Sequence, residues 1–189
     1  GIRFDYERFT QPYIRHHLLV ARFGEETNQI ITQYLDDLGN QKYRLKEQFD
    51  TQQKINAHFL KGIEEEDLDD EKREIRDGLF DLAANVILVS TGYNQWHPRI
   101  SMTKTSSFDE LDYWTKERLT EIYNNYFYKR HEEFWYAKGM EKLPAITTVG
   151  DLLVCGEDLG MIPACVPKAM DELNILSLEI QRMPKDPNK

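Results

Sequence analysis

Residues 151–160 read DLLVCGEDLG and carry the clearest structural signal in the sequence. The run at 151–155 is short and mostly apolar, which predicts a buried β-strand rather than a helix. Two carboxylates, Glu157 and Asp158, follow directly after that run. The segment therefore predicts a strand that ends in a pair of acidic side chains.

The residues that follow this strand predict the rest of a parallel α/β unit. Pro163 precedes a run at 164–173 that is typical of a helix, because proline is well tolerated where a helix starts. A second apolar run at 175–180 predicts another strand. Strand, loop, helix and strand in that order form the repeating unit of a parallel sheet.

Glu157 is the candidate catalytic residue of this unit. A carboxylate immediately after the carboxyl end of a strand has the position at which a (β/α)8 barrel holds its catalytic groups. The apolar strand and the next helix are expected to desolvate one side of the carboxyl group, which favours the protonated form that donates to a leaving oxygen. Gly156 and Gly160 are expected to allow a ligand to approach the backbone closely. The pattern alone leaves open that Glu157 and Asp158 cap the next helix.

Three other residues of this region have a possible functional role and a simpler structural one. Asp158 either orients Glu157 or caps the helix after Pro163, and a supporting structural role is favoured. Arg182 follows the second predicted strand, so it is a candidate substrate contact, although a salt bridge is the more common role of such a residue. Cys155 lies inside the first strand, which suits a small buried hydrophobe better than a nucleophile.

Most of the remaining sequence predicts helices. Three are expected at 10–22, 25–38 and 43–61, and a glycine follows the end of each within two residues. The run EEEDLDDEKRE at 64–74 lacks the glycine turn and alternating oxygen ligands of a calcium loop. A solvated linker that leads into a helix is therefore expected there.

Further along, the sequence predicts a helix at 75–84, a strand at 86–89 and a long helix that runs to about residue 140. The long helix is expected to begin at a capping box formed by Ser107 and Glu110. It carries many aromatic side chains at helical spacing. Because such a pattern is usually core, a packing face is expected, and a sugar-binding face is the less favoured alternative.

The polar loop at 90–106 holds the candidate substrate-binding residues Trp96, His97 and Arg99. An aromatic face beside hydrogen-bonding groups is a common way to bind a sugar. The alternative is that Trp96 anchors the loop to the core, and the sequence leaves both interpretations open.

Together these segments predict a mainly α fold, in which a helical insertion at 1–143 joins a βαβ fragment of a (β/α)8 barrel at 144–189. Barrel strands that lack neighbours expose their edges, and exposed edges favour pairing with another chain. Self-association through these strands is therefore expected.

The composition of the chain limits the kinds of partner and the cell compartment that are expected for it. Lys and Arg number 24 against 33 Asp and Glu, giving a net charge of −9, which argues against nucleic acid because phosphate backbones are held by basic residues. No apolar run is long enough to cross a membrane. The first residues are charged and aromatic, unlike a signal peptide. Two cysteines do not make a disulfide framework, so a cytoplasmic setting is expected.

Several segments resemble the 4-α-glucanotransferases of the amylomaltase type. CGEDLGMIP at 155–163 is similar to the family motif in which an apolar strand ends in Glu-Asp-Leu-Gly, and LSLEIQRMP at 176–184 resembles the next barrel strand. FDYERFTQPY at 4–13 and WHPR at 96–99, continuing through the long helix, resemble the insertion-bearing branch that includes the plant cytosolic disproportionating enzyme.

The resemblance implies a specific activity. Glu157 would be the general acid/base of a retaining enzyme that transfers α-1,4-glucan segments between malto-oligosaccharides, and no cofactor or metal is required. The family's nucleophile lies in an Arg-Ile-Asp-His type motif and its transition-state stabiliser in a Ser-Ser-His-Asp type motif. Neither motif occurs in residues 1–189, so the chain is expected to be an inactive internal fragment. The rival hypothesis is a helical interaction or carbohydrate-binding module without catalysis of its own.

Overall fold

The computed structural model describes residues 5–160 and 162–178 and is mostly helical, as the sequence predicts. The chain divides into two compact units, Gly1–Lys116 and Glu117–Lys189. The helices of the first unit are α1 (Tyr6–Thr10), α2 (His16–Phe23), α3 (Thr27–Tyr34), α4 (Gln52–Phe59), α5 (Asp70–Ala84) and α6 (Ser106–Asp109). Its strands are β1 (Ile14–Arg15), β2 (Leu35–Asp37), β3 (Lys42–Leu45), β4 (Leu88–Gly92) and β5 (Gln95–Pro98).

A three-stranded antiparallel sheet, in the order β1-β3-β2, replaces parts of the three helices predicted in this unit. Leu35 pairs with Leu45, and both are buried, so the apolar spacing attributed to two helices serves a sheet instead. Gly39 and Asn40 have φ of +78° and +51° and reverse the chain between β2 and β3. The predicted helices at 25–38 and 43–61 are thus each only partly correct. The helix predicted at 10–22 begins at His16, because the preceding residues form β1.

The core of the first unit lies between the sheet and α2 to α5. Burying a Leu, Ile or Phe side chain contributes roughly 1.5–3 kcal/mol, so this cluster supplies most of the driving force for folding of the unit. Its buried members are Ile14, Leu19, Ile30, Tyr34, Leu35, Leu45, Phe49, Ile55, Phe59, Leu68, Ile75, Leu79 and Leu82.

A second antiparallel hairpin follows α5. The sequence predicts a strand at 86–89, and the structure has it slightly later, as β4. The predicted loop at 90–106 is wrong in its first part, because it contains β5, which pairs with β4. Tyr93 and Asn94 have φ of +52° and +61°, a left-handed pair that is typical of a tight hairpin turn.

The long aromatic helix starts later than predicted. Thr105 caps the short α6, and Asp112 accepts from the backbone N–H of Thr115 (3.0 Å) where α7 (Tyr113–Asn125) begins. The predicted capping box at Ser107 and Glu110 is therefore wrong. A π-helical segment, Tyr126–Arg130, continues from α7 into α8 (His131–Lys142).

The second unit contains the predicted parallel strand–helix–strand arrangement. Its remaining elements are α9 (Pro144–Thr147), β6 (Cys155–Gly156), α10 (Cys165–Glu172) and β7 (Leu176–Ser177). β6 pairs with β7 in parallel, and α10 connects them, so the order of elements is confirmed.

The strands of this pair are shorter and less buried than predicted. Leu152 and Leu153 were expected inside a buried strand, but they lie before β6 with 73% and 74% of their surface exposed. The physical reason is that a parallel strand is buried by sheet neighbours and by helices on both faces, and among the described residues β6 pairs only with β7. Residues 179–180 of the second predicted strand lie outside the described residues.

Candidate active site

Glu157 lies directly after β6, as the sequence predicts. Its Oε1 accepts a hydrogen bond of 2.8 Å from the backbone N–H of Leu159, which folds the side chain back onto its own loop. The side chain is exposed, so the residues that the structure describes do not give the expected desolvation of one side of the carboxyl group. The cause is that, among these residues, β6 has β7 as its one sheet neighbour, which also leaves Leu152 and Leu153 uncovered.

The start of α10 is capped from another helix. The two carboxylate oxygens of Glu132, on α8, accept from the backbone N–H groups of Ala164 (2.8 Å) and Cys165 (2.6 Å). Desolvation alone would raise the pKa of Glu132, but these amide donors outweigh it and the pKa is lowered. The alternative in which Glu157 caps this helix is therefore wrong, and the sequence did not suggest Glu132.

Asp158 is buried between the ends of the two parallel strands. Its Oδ1 accepts from the hydroxyl of Ser177 and from the backbone N–H of Leu178, both at 3.2 Å. Asp158 thus joins the end of β6 to the end of β7. The two neighbouring acidic side chains therefore differ in environment. Asp158 is buried and links the two strands, whereas Glu157 is exposed in the loop after β6.

The two glycines on either side of the carboxylates have structural roles. A Cβ on Gly156 would lie 3.1 Å from the Met170 methyl carbon and 3.3 Å from a methyl group of Ile175, so this glycine allows close packing of β6 against α10. Gly160 has a φ of +83°, a conformation that suits glycine in the turn after the acidic pair. Close packing and chain reversal are the roles that the structure shows for these residues, and close approach of a ligand stays a prediction.

Trp96 and His97 lie on β5 in the first unit, and Arg99 follows this strand directly. The ring of Trp96 packs edge-on against Tyr6 (centroids 4.8 Å apart), and its buried Nε1 has no hydrogen-bond partner among the residues that the structure describes. His97 Nε2 shares a hydrogen bond of 3.0 Å with the hydroxyl of Thr91 across the hairpin. These contacts favour the anchoring interpretation for Trp96.

Arg99 is held by the end of α5 and the start of the hairpin. Its Nη1 donates to the carbonyl of Ala84, and its backbone N–H donates to the carbonyl of Ile87 at 2.9 Å. It also lines a cavity of about 390 Å³ beside Arg22 and Asp81. Arg182, the remaining candidate, lies outside the described residues.

The aromatic face of the long helix is only partly covered among the residues that the structure describes, so the prediction of a packing face is only partly correct. Leu119 is buried, but Trp114 exposes 76% of its surface. In the second unit, an apolar cavity of about 650 Å³ lies between α8 and α10. The other large exposed hydrophobic side chains of this helix are Tyr113, Ile122, Tyr128, Phe134 and Trp135.

A polar network in the first unit was missed by sequence reasoning. The Tyr13 hydroxyl donates to Glu110 Oε2 (2.6 Å), and His17 Nε2 donates to Glu110 Oε1 (2.7 Å). Burial would raise the pKa of Glu110, but the bonds from Tyr13 and His17 outweigh it and lower that pKa. Burial, followed by the bond to Glu110, raises the pKa of Tyr13. No local signal could have paired Tyr13 with a residue 97 positions away.

Three further features bear on the class of protein. Cys155 and Cys165 are both free. Throughout 5–160 and 162–178, no helix has the length and apolar character needed to span a bilayer. Over the same residues, no three His, Cys, Asp or Glu side chains come together as a metal site, and the acidic run at 64–74 instead forms a short 3-10 turn and the capped start of α5.

A parallel strand–helix–strand unit that carries acidic residues at the end of its first strand is typical of α/β enzymes. Comparison with known proteins makes the class specific. The family model described as 4-alpha-glucanotransferase matches residues 79–189, which is more than half of the chain. The chain belongs to the 4-alpha-glucanotransferase family, as the resemblance of its motifs implies.

One curated relative matches nearly the whole chain. It is the 4-alpha-glucanotransferase DPE2 of Oryza sativa subsp. japonica, which is 40% identical over 187 residues. The alignment covers 97% of this chain and 20% of the relative, so the chain spans about a fifth of that protein. No solved structure gives a significant match.

Proposed function

We propose that this chain is part of an enzyme that transfers α-1,4-glucan segments between malto-oligosaccharides, and that Glu157 is its general acid/base. The observation that carries the proposal is the position of Glu157 directly after β6 in a parallel strand–helix–strand unit, within the residues that match the family model. In a (β/α)8 barrel, that strand end faces the active site.

The proposed mechanism is a double displacement with retained configuration. Such chemistry needs two carboxylates about 5 Å apart, one that attacks the anomeric carbon and one that transfers protons. Glu157 protonates the departing 4-hydroxyl oxygen while the nucleophile forms a glucosyl-enzyme. The ionised Glu157 then takes the proton from the 4-hydroxyl of the acceptor, which attacks the anomeric carbon and releases the nucleophile.

The chain supplies only part of this machinery. The nucleophile and stabiliser motifs of the family do not occur in residues 1–189, so the isolated chain is proposed to be inactive. Glu157 is exposed here, and a proton donor at neutral pH works best when partly desolvated. We propose that the rest of the barrel provides both the missing carboxylates and the missing cover.

Asp158 supports Glu157 without touching the sugar in this proposal. Its bonds to Ser177 and Leu178 fix the ends of two neighbouring strands, which sets the direction of the loop that carries Glu157. The glucan contacts remain assigned to the polar groups His97 and Arg99 of the hairpin.

Trp96 is proposed to hold that hairpin against α1, in agreement with its edge-on contact with Tyr6. Arg182, near the second strand, is proposed to contact the glucan. These assignments concern how the substrate is held and leave the chemical step to Glu157.

The domain plan follows from the same hypothesis. Residues 1–143 are proposed to be a helical insertion in the catalytic domain and residues 144–189 a segment of the barrel. The exposed Leu152 and Leu153 and the short parallel pair support self-association of the isolated chain.

A cytoplasmic location of the complete enzyme is supported by the two free thiols.

An activity assay on this chain beside the complete enzyme tests the proposal. The complete enzyme should disproportionate maltotriose, whereas the isolated chain should not. Adding the isolated chain to the complete enzyme controls for inhibition by the fragment. Turnover by residues 1–189 alone would contradict the assignment of the nucleophile to another part of the protein.

A second candidate function rests on the exposed aromatic side chains of the long helix. Trp114 and Trp135 could stack on sugar rings, so the chain could act as a carbohydrate-binding module without catalysis. Titration of the chain with maltoheptaose while tryptophan fluorescence is recorded separates the two candidates. Saturable quenching that is lost in Trp114→Ala would favour the binding module.

A further inference from the structure

A pocket in the first unit concentrates positive charge in an otherwise acidic chain. Its volume is about 430 Å³, and the basic side chains Arg8, Arg15, Lys42 and Arg44 line it. They come from α1, β1 and β3, so the fold brings them together from separate parts of the sequence. A net charge of −9 makes such a cluster unusual for this surface.

The register of the sheet places three of these side chains on one face. Arg15 pairs directly with Lys42, and directly paired residues of antiparallel strands project to the same side. Arg44 is two residues beyond Lys42 on β3 and therefore shares that side. Like charges directly opposite each other destabilise a sheet, so this arrangement carries an energetic cost.

Few carboxylates form ion pairs that would offset the repulsion between these basic side chains. Arg44 forms an ion pair with Asp36 at 3.2 Å. Within residues 5–160 and 162–178, neither Arg15 nor Lys42 forms an ion pair, and the guanidinium of Arg15 donates to the carbonyl of Ile14. The sheet face therefore presents more positive than negative charge to the pocket.

Arg8 adds a half-buried cation above this face. Its guanidinium donates to the hydroxyl and the carbonyl of Ser107, both at 2.6 Å and both neutral acceptors. Burial lowers the pKa of Arg8, and the charge of Arg15 also lowers it, whereas Tyr13, Glu110 and Asp5 raise it without reversing the direction. The guanidinium groups of Arg8 and Arg15 lie 3.8 and 4.1 Å from the ring centre of Tyr13, which holds both in place.

Two acids also line the pocket, but its four basic side chains outnumber them. The carboxylate of Asp5 accepts from the backbone N–H of Arg8 and so caps α1. Glu7 is exposed and forms no ion pair among the residues described. An anion in the pocket would relieve the repulsion between Arg15 and Lys42.

We propose that this pocket binds a phosphate dianion, either free or esterified to a sugar. A phosphate monoester carries close to two negative charges and three acceptor oxygens at neutral pH. The planar guanidinium matches two of those oxygens at once, and a lysine adds a point charge. The pocket volume suits a compact ligand of this kind. The proposal is independent of the glucan chemistry above.

Calorimetric titration of the chain with inorganic phosphate, glucose 6-phosphate and glucose, at constant ionic strength set by sodium chloride, tests the proposal. Inorganic phosphate or glucose 6-phosphate should bind with saturation, and the tighter of the two identifies the natural source of the anion. Glucose should not bind. Binding of glucose as tight as that of glucose 6-phosphate, or no binding of either phosphate, would overturn the proposal.

Substitutions of the basic residues of the pocket test whether phosphate binds there. Arg15→Gln combined with Lys42→Gln should weaken phosphate binding about tenfold or more, because two charged contacts are lost. Arg118→Gln combined with Lys61→Gln is the matched control, since both side chains are exposed and lie outside the pocket. Equal affinity of the two double variants would overturn the assignment.

Thermal unfolding in chloride checks that the first double variant folds. It should unfold near the wild-type temperature, because removing a like-charge cross-strand pair offsets the lost contacts of Arg15 with Tyr13 and Ile14. If the double variant does not fold, Lys42→Gln alone replaces it in the binding experiment, because this substitution changes only an exposed side chain. This single variant should also weaken phosphate binding, and an unchanged affinity would count against the site.

Discussion

The β2–β3 hairpin of the first unit and the β6–β7 pair of the second are both short, but the leucines of the hairpin are buried and those beside β6 are not. Leu35 and Leu45 of the hairpin are almost fully buried, whereas Leu152 and Leu153 beside β6 are about three-quarters exposed. An antiparallel hairpin is completed by a tight turn between adjacent segments. A parallel pair belongs to a larger sheet and is normally covered on both faces.

This difference bears on how function is distributed in the chain. The well-packed unit carries a core made entirely from its own residues. The unit that carries Glu157 leaves this side chain and the leucines before β6 exposed, so the proposed chemistry would depend on elements that complete the sheet. The following predictions test that contrast, starting with the largest effect.

Glu157→Gln in the complete enzyme should give the largest effect. The amide keeps the shape of the side chain but carries no transferable proton, so disproportionation of maltotriose should fall by about 10⁴-fold, near the upper range for general acid/base catalysis. Initial rates with maltotriose measure it. Glu66→Gln is the matched control, because Glu66 is an exposed residue of the acidic run.

A substrate with an activated leaving group separates chemistry from folding in this variant. Its first step needs little protonation, so a glucosyl-enzyme should accumulate in Glu157→Gln. Azide needs no general base and should partly restore turnover with retained configuration. Near wild-type disproportionation by Glu157→Gln would exclude Glu157 as the acid/base.

Two leucine truncations measure the contrast in packing directly. Leu79→Ala removes a fully buried side chain from the first unit and should lower the free energy of unfolding by about 3 kcal/mol. Leu152→Ala in the isolated chain should change it by less than about 0.5 kcal/mol. Urea unfolding followed by circular dichroism gives both values. A cost of Leu152→Ala similar to that of Leu79→Ala would mean that the second unit is packed in solution.

Sequence reasoning predicted the segments whose structure is determined locally. The helix expected at 75–84 is the second part of α5, and the parallel unit around Glu157 has the predicted order of elements. The β2–β3 hairpin was missed, because its leucines also fit a helical spacing and Gly39 also fits a helix end. Tertiary pairing, rather than local preference, decided between the two.

The candidate site was predicted in position but not in environment. Glu157 follows a strand as expected, but its exposure depends on which elements cover it, and no short pattern encodes that. Glu132 caps α10 from 32 residues away, and Asp158 accepts a hydrogen bond from the backbone N–H of Leu178 after β7. Such contacts depend on the three-dimensional arrangement and are not visible as motifs.

Asn85→Ala tests whether the packed unit also relies on a buried polar contact. The side chain of Asn85 donates to the carbonyl of Tyr13 and the hydroxyl of Ser106, both at 2.7 Å, and accepts from the backbone N–H of Ser107 at 2.9 Å. Truncation leaves buried polar groups unsatisfied and should cost about 2 kcal/mol in urea unfolding. Asn28→Ala, at an exposed helical position, is the control and should be nearly neutral.

The smallest effect concerns acid stability of the packed unit. The pKa of Glu110 is lowered in the folded chain, so the charged carboxylate stabilises the fold at pH values above its ordinary pKa of 4.5. That contribution is lost as the pH falls through the lowered pKa. Tyr13→Phe keeps the ring that Arg8 and Arg15 contact but removes the donor, which should cost about 1 kcal/mol at pH 7.

The pH dependence distinguishes this bond from simple packing. With the donor removed, the pKa of Glu110 should move back toward its ordinary value, so the stability difference between Tyr13→Phe and the wild type should shrink below about pH 4 as the carboxylate is protonated in both. Urea unfolding at pH 7 and at pH 3 measures it. Tyr93→Phe is the matched control, because the Tyr93 side chain is almost fully exposed. A difference that is the same at both pH values would show that the ring environment, and not the hydrogen bond to Glu110, carries the stability.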